Sequence, residues 1–318
     1  MPPTAAVPPS DAPIVDPAGA VDPAGAVDPA VAHTVRISDG TRIVLTVVPP
    51  RGPDTGQHVY VLPAMGIRSG YYRALADSFS ARGFTVVLTD LRGEGEATPS
   101  ASRTTTHGYV EIVERDIPES VAYLRRELGA ERIWLLGHSL GGQLGLIADS
   151  RTSATGAPEG AGFAGVVLVG SGSSWHRAQN GWRAPRNRIV PQLFVLLSHA
   201  VGYFPGDRLG FAHRQSTRLM IDCARQSRTG RFAAPGAAED YDESLTRLER
   251  PLLVFDIDGD RLTSRRAVDH LCAAVPRARI TRRRHPIQGR PLRDPHVAWV
   301  RQSPRLPDEI ADWILDQD

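Results

Sequence analysis

Apolar and polar positions follow a regular order along the chain from His33 onward. The stretch HTVRISDGTRIVLTVVP alternates apolar and polar residues on both sides of Asp39-Gly40, which predicts a β-hairpin. Short apolar runs then recur and predict buried strands: HVYVLPAMG, FTVVLTD, RIWLLG, AGVVLVGSG and PLLVFDIDGD, with ARITRR as a weaker last strand. Stretches with helical spacing lie between several of them, for example from Tyr109 to Leu128. This alternation predicts an α/β fold with a mostly parallel twisted sheet and helices on both faces.

Two segments depart from that alternation. Residues 1–32 repeat Val-Asp-Pro-Ala-Gly-Ala and contain few large side chains, so a disordered Pro/Ala-rich tail is expected there. The segment of residues 171–246 is far longer than an ordinary loop, and it contains several aromatic residues but no clear strand. They predict a helical lid inserted between a first core part, 33–170, and a second core part, 247–318.

The composition narrows the possible partners. The chain has 318 residues and a formal net charge of +2, and its basic residues are mostly interleaved with acidic ones, so nucleic acid is not the expected partner. The basic cluster from Arg277 to Arg290 is better explained as a solvated edge strand and loop than as a binding patch. The expected partner is a small molecule, and the oligomeric state is left open.

Cysteine usage and apolar run lengths give expectations about location. Cys223 and Cys272 are isolated, which predicts neither a disulfide framework nor a metal site. The start of the chain lacks the pattern of a signal peptide, and no apolar run approaches the roughly 20 residues that cross a bilayer. A cytoplasmic protein with no membrane partner, no metal and no cofactor is therefore expected.

The stretch WLLGHSLGGQLG, which begins at Trp134, carries the chemistry. It places Ser139 within Gly-His-Ser-Leu-Gly, between a predicted strand and a predicted helix that begins near Gln143. A bend this sharp crowds the positions two residues to either side, which explains Gly137 and Gly141, and it presents the serine hydroxyl near a helix N-terminus. Ser139 is therefore a candidate nucleophile.

These residues resemble a known family. From about His33 to the C-terminus the chain resembles the α/β-hydrolase superfamily, whose nucleophile elbow is similar to GHSLGG. The segments PAMG and YFPG and a late histidine further resemble a group of bacterial predicted α/β-hydrolases of mostly unassigned substrate. The resemblance implies the α/β-hydrolase fold and a base and an acid that follow Ser139 in the order Ser, acid, His.

Three aspartates lie in or directly after PLLVFDI, where the acid is expected: Asp256, Asp258 and Asp260. The family's acid precedes a segment that resembles RLTSRRAV, which implies Asp260, with Asp258 as the alternative; Asp256 is expected within the strand. His296 precedes VAWVRQS and resembles the family's base in the final loop, although Pro295 replaces the usual glycine. His285, at the end of the basic strand, is the alternative base.

The remaining candidates concern the oxyanion and the pocket. The backbone N–H of Leu140, directly after the nucleophile, is one expected donor to the oxyanion. The resemblance implies the N–H of Met65 as the second. His138 belongs to the elbow and is expected to be structural. Trp175, Trp182 and Arg183 suggest a pocket for an aromatic or carboxylate-bearing molecule, although scattered aromatic residues are more often core residues.

The resemblance implies a serine hydrolase that cleaves a carboxylic ester, thioester or lactone through an acyl-enzyme on Ser139. The same triad in an acyltransferase or a lactone-forming cyclase is an alternative, because an alcohol then replaces water. A second alternative is a non-catalytic binding protein that has kept the hydrolase fold.

Overall fold

The computed structural model describes residues 30–154, 162–287 and 294–317. Its strands are β1 Val31–Arg36, β2 Arg42–Val48, β3 Gln57–Leu62, β4 Thr85–Thr89, β5 Arg132–His138, β6 Gly165–Val169, β7 Phe204–Pro205, β8 Arg214–Gln215, β9 Pro251–Ile257 and β10 Arg279–His285. All of these except β7 and β8 form a central eight-stranded sheet in the order β1-β2-β4-β3-β5-β6-β9-β10.

Strand direction follows from the connections. The hairpin at Asp39-Gly40 makes β1 and β2 antiparallel, and β2 is antiparallel to β4. All pairs from β4 through β3, β5, β6 and β9 to β10 are parallel, and helical connections join most of them. In this register Gly137 lies beside Leu62 on one neighbour and Leu168 on the other. The carboxyl ends of the central strands therefore meet at one edge of the sheet.

Both faces of the sheet are buried. Val59 and Val61 belong to one apolar core, while Tyr60 and Leu62 belong to the core on the other face, because successive side chains of a strand point to opposite sides. The helices are α1 Arg73–Ala81, α2 Tyr109–Glu111, α3 Ile117–Leu128, α4 Leu140–Ala154, α5 Arg183–Val201, α6 Gly206–Leu209, α7 Thr217–Thr229, α8 Tyr241–Thr246, α9 Arg265–Ala273, α10 Pro295–Gln302 and α11 Leu306–Leu315. Helices α1, α10 and α11 cover the first core, and α3, α4, α8 and α9 cover the second.

The insertion segment, residues 171–246, leaves the sheet after β6 and returns before β9. It contains α5 to α8, and α5 packs against α7. It also contains the two-residue strands β7 and β8, which pair with each other and which the sequence did not predict. Because β6 ends at the carboxyl edge of the sheet, the segment begins beside that edge.

Several boundaries differ from the sequence predictions. The predicted tail lies outside the described residues except for residues 30–32, and there Val31 and Ala32 already pair in β1. The predicted helix from Tyr109 to Leu128 includes a π-helical turn, Ile112–Asp116, between α2 and α3. Among the described residues no helix is long and apolar enough to cross a bilayer.

Candidate active site

A sharp bend between β5 and α4 presents Ser139. Its φ of 52° lies in the left-handed region, which a residue with a side chain adopts at a cost of about 1–3 kcal/mol. The helix begins at Leu140, earlier than the sequence predicted, and the N–H of Gln143 donates to the carbonyl of Ser139. Ser139 is only partly buried, so its hydroxyl can be reached from solvent.

Close backbone contacts explain the neighbouring glycines. A Cβ at Gly137 would lie 2.2 Å from the Cα of Gly142. A Cβ at Gly141 would lie 2.4 Å from the carbonyl oxygen of Pro63, at the end of β3. Glycine at these positions therefore lets the first turn of α4 pack against β5 and against the loop that follows β3.

Three residues predicted from the sequence lie in one hydrogen-bonded chain. The Nε2 atom of His296 is 2.9 Å from Ser139 Oγ, and its Nδ1 atom is 2.8 Å from Asp260 Oδ2. The other carboxylate oxygen of Asp260 accepts from the N–H groups of Leu262 and Thr263 at 2.7 and 2.8 Å. Since a carboxylate only accepts, Nδ1 carries the proton and Nε2 is the acceptor for the serine hydroxyl.

The sequence predicted that His296 would lie in the final loop. The structure instead places it in the first turn of α10. Pro295 occupies the first helical position, where its missing N–H leaves no hydrogen bond unmade. Asp294 caps the helix by accepting from the N–H of His296 at 3.0 Å. The imidazole is buried, with 3% exposure. The proline before His296 thus starts a helix.

The alternative acids and base have other partners. Asp258 lies at the surface and accepts from Arg284, with 2.7 Å between carboxylate and guanidinium. Asp256 lies within β9 and pairs with Arg282. His285 ends β10 and is buried against the ring of Phe255, and this burial lowers its pKa. The structure brings none of the three to Ser139.

His138 has a structural link that sequence analysis did not identify. Its Nδ1 atom is 2.7 Å from the hydroxyl of Tyr72, and its Nε2 atom is 2.8 Å from the carbonyl oxygen of His296. The Tyr72 hydroxyl also accepts from the N–H of Ala64 at 3.0 Å. Burial, together with the neighbouring His296, holds the pKa of His138 well below its ordinary value, so this ring is neutral.

The two backbone donors expected from the sequence belong to the residue after Ser139 and to the loop after β3. Leu140 is the first residue of α4, and Met65 lies in the loop after β3 that Gly141 approaches. The backbone hydrogen bonds formed among the described residues include none donated by either N–H. Both groups are therefore available to a ligand.

Glu94 supports the Met65 loop, and sequence analysis missed it because it lies in a different loop. Its carboxyl accepts from the N–H of Gly66 at 2.9 Å and from the side chain of Gln215 at 2.7 Å. Burial raises the pKa of Glu94 to about 8, although these two hydrogen bonds oppose the shift. The carboxyl is therefore mostly protonated at neutral pH.

A pocket of about 320 Å³ borders Asp260, and Asn180 and Arg183 of the insertion segment line it. Trp175 lines a different pocket, and Trp182 is exposed with Arg186 over its ring. The structure therefore does not bring Trp175, Trp182 and Arg183 into one pocket. The described residues include no group of three or more His, Cys, Asp or Glu that could hold a metal ion.

Comparisons with known proteins agree with this architecture. The family model for the alpha/beta hydrolase fold matches residues 57–192. An esterase from Exiguobacterium antarcticum superimposes with a TM-score of 0.57 at 14% identity, covering 90% of this chain and 100% of the esterase. An esterase from a Rhodococcus species gives a TM-score of 0.55 at 20% identity over 90% and 99% of the two chains. A thioesterase domain from the curacin biosynthetic pathway gives 0.54 at 14% identity, again over 90% and 99%.

The search of curated proteins found no match. The sheet order, the helices on both faces and the family model that matches residues 57–192 define the class: the chain has the α/β-hydrolase fold.

Proposed function

We propose that this protein is a serine hydrolase that cleaves a carboxylic ester, thioester or lactone through an acyl-enzyme on Ser139. The observation that carries the proposal is the chain of hydrogen bonds from Ser139 through His296 to Asp260. A serine hydroxyl is a weak nucleophile until a base takes its proton, and Nε2 of His296 faces that hydroxyl as an acceptor. Two esterases and a thioesterase domain share this fold, which supports the proposal that this protein is a hydrolase.

In the acylation step Ser139 Oγ attacks the substrate carbonyl carbon and His296 takes the hydroxyl proton. The carbonyl oxygen becomes an oxyanion, to which the N–H groups of Leu140 and Met65 donate. When the tetrahedral intermediate collapses, His296 gives the proton to the leaving oxygen or sulfur atom. In a lactone this atom is the former ring oxygen, which stays attached to the acyl chain as a hydroxyl group. Asp260 orients the imidazole and stabilises its charged form.

In the deacylation step water attacks the acyl-enzyme, and His296 takes a proton from the water and returns it to Ser139 Oγ. The products are a carboxylic acid and the alcohol or thiol. The pocket beside Asp260 is lined by three arginines and three aspartates and by neither Ser139 nor His296, so it does not indicate the charge of the substrate.

A fluorophosphonate probe tests the proposal directly, because it reacts with an activated serine. We expect covalent labelling of the wild type and none of Ser139→Ala. Ser171→Ala is the matched control: this buried serine donates to the carbonyl of Gly137 and faces no histidine, so its removal should leave labelling intact. Absence of labelling in the folded wild type would contradict the proposal and favour a binding protein.

A panel of acyl esters then defines the substrate. The esters increase in acyl chain length, and each is tested with and without a negative charge on the acyl group.

A further inference from the structure

Helix α5 has an unusual outer surface. Six residues at steps of three or four, from its N-cap to its last turn, are exposed and apolar, and they form one stripe along the helix: Trp182, Pro185, Ile189, Leu193, Leu196 and Ala200. The exposed fractions of Trp182, Ile189, Leu193 and Leu196 are 68%, 54%, 53% and 65%. An ordinary surface helix carries polar residues at these positions.

The apolar surface extends beyond the helix. Phe194 packs against Phe211, with 5.9 Å between ring centroids, and Phe211 and the neighbouring Leu209 are themselves about half exposed. A continuous apolar patch of this kind on a protein surface marks a place where something binds.

The charged residues that flank the stripe in the sequence are mostly basic. Between Ser171 and Gly230 the chain has nine arginines against two aspartates, and one of those aspartates, Asp222, is buried. Arg188, directly before Ile189, lines a pocket of about 270 Å³ together with Arg177 and Arg228, and no described carboxylate lines it. Arginine groups of this kind bind phosphate.

We propose that this stripe and the arginines beside it dock the protein on an anionic lipid surface. Apolar side chains would enter the headgroup region, the tryptophan would lie at its boundary, and Arg177, Arg188 and Arg228 would contact lipid phosphates. A second copy of the chain fits less well, because a two-fold contact would place the same arginine-rich surface patch on both sides of the interface.

The proposal concerns binding, and it does not depend on the activity of Ser139. It departs from the expectation of no membrane partner, which rested on the absence of a spanning segment. The docking surface lies on the insertion segment. The side chain of Gln226 in that segment donates to the side chain of Gln143 in α4, at 2.8 Å. The stripe and the candidate active site are therefore on connected elements at the same edge of the sheet.

Co-sedimentation of the full chain with lipid vesicles tests the proposal. We expect binding to phosphatidylcholine vesicles that contain about one third phosphatidylglycerol, little binding to pure phosphatidylcholine, and weaker binding as salt rises. The Ile189→Ser/Leu196→Ser variant should bind roughly tenfold more weakly. The matched control, Val31→Ser/Ile280→Ser, removes two exposed apolar side chains from the edge strands and should bind as the wild type does.

A second pair of variants tests the charges. Arg188→Gln/Arg228→Gln should weaken binding roughly tenfold or more, whereas Arg279→Gln/Arg305→Gln, with the same net charge, should not. All substituted side chains are at the surface, so unfolding temperatures should match and will verify folding. No preference for anionic vesicles, or unchanged binding by the stripe variant, would overturn the proposal. It would equally be overturned by a dimer in light scattering that Ile189→Ser/Leu196→Ser converts to a monomer.

Discussion

The Nε2 atom of His138 lies 2.8 Å from the backbone carbonyl oxygen of His296. The same Nε2 lies 3.2 Å from the indole nitrogen of Trp299, and Nδ1 lies 2.7 Å from the Tyr72 hydroxyl. Tyr72 in turn accepts from Ala64, next to Met65. A buried chain of hydrogen bonds thus connects the loop after β3 to the backbone of the proposed base.

Tyr72→Phe tests this chain. It removes the hydroxyl and leaves the N–H of Ala64 and the Nδ1 atom of His138 unpaired in the interior, so we expect a loss of about 1–3 kcal/mol in the free energy of unfolding. We also expect a severalfold lower kcat, because the base is less well positioned. Tyr71→Phe is the control, since its hydroxyl makes a longer bond of 3.3 Å to Val297. Denaturant unfolding and steady-state kinetics provide the measurements, and equal effects of the two changes would contradict this role.

Asp260→Asn should lower kcat by roughly three to four orders of magnitude, because the imidazole loses the carboxylate that fixes its tautomer. Asp258→Asn removes only an ion pair to Arg284 at the surface, so its effect on kcat should be small. Ester hydrolysis assays of the two folded variants decide between the carboxylates. A severe loss in Asp258→Asn together with a mild one in Asp260→Asn would reverse the assignment.

His296→Ala should abolish turnover, because no other described imidazole lies within hydrogen-bond distance of Ser139. Since His296 is buried in the first turn of α10, the same change should also lower the unfolding temperature. His285→Ala is the matched control, because it also removes a buried imidazole, but one that packs on Phe255. It should lower stability while retaining turnover, and loss of turnover in this control would show that the proposed base is wrong.

Gly141→Ala should destabilise the elbow, because its Cβ would lie 2.4 Å from the carbonyl oxygen of Pro63, where only backbone can move. We expect a loss of about 2 kcal/mol in the free energy of unfolding and a reduced kcat, since the Met65 loop must shift. In Gly70→Ala the new Cβ meets nothing within 4 Å, so this variant should be as stable as the wild type. Thermal unfolding compares the two, and a Gly141→Ala protein of full stability and activity would argue against this packing.

Glu94 makes stability depend on pH. Its pKa of about 8 in the folded protein exceeds the ordinary value of 4.5, so the unfolded chain releases this proton first as pH rises. The contribution of Glu94 to stability is therefore full below about pH 4.5 and is lost progressively up to about pH 8. In Glu94→Gln the fall in unfolding temperature between pH 5 and pH 8 should be smaller than in the wild type, and the exposed Glu131→Gln is the control. An identical fall in all three proteins would contradict the prediction.

The sequence by itself determined the elements whose causes are local. Alternating and continuous apolar runs predicted the strands of the central sheet, because burial on one face or both imposes those patterns on a strand. The elbow at Ser139 was also predictable from local sequence, because such a bend brings backbone atoms so close together that glycine is required beside the serine. The resemblance to α/β-hydrolases then indicated Asp260 and His296, which the structure brings together with Ser139.

Only the tertiary structure decided the contacts between distant parts of the chain. Tyr72, His138 and His296 meet because β3 and β5 are neighbours in the sheet and α10 packs on the same face, and no local pattern encodes that order. The raised pKa of Glu94 likewise depends on burial beneath the loop after β3 and the insertion segment. Helix α5 is the clearest case: it is apolar on the side that packs against the protein and on the side that faces solvent, so its periodicity does not mark an exposed face. Which face stays open depends on where α7 and Phe211 pack, and that is a property of the folded chain.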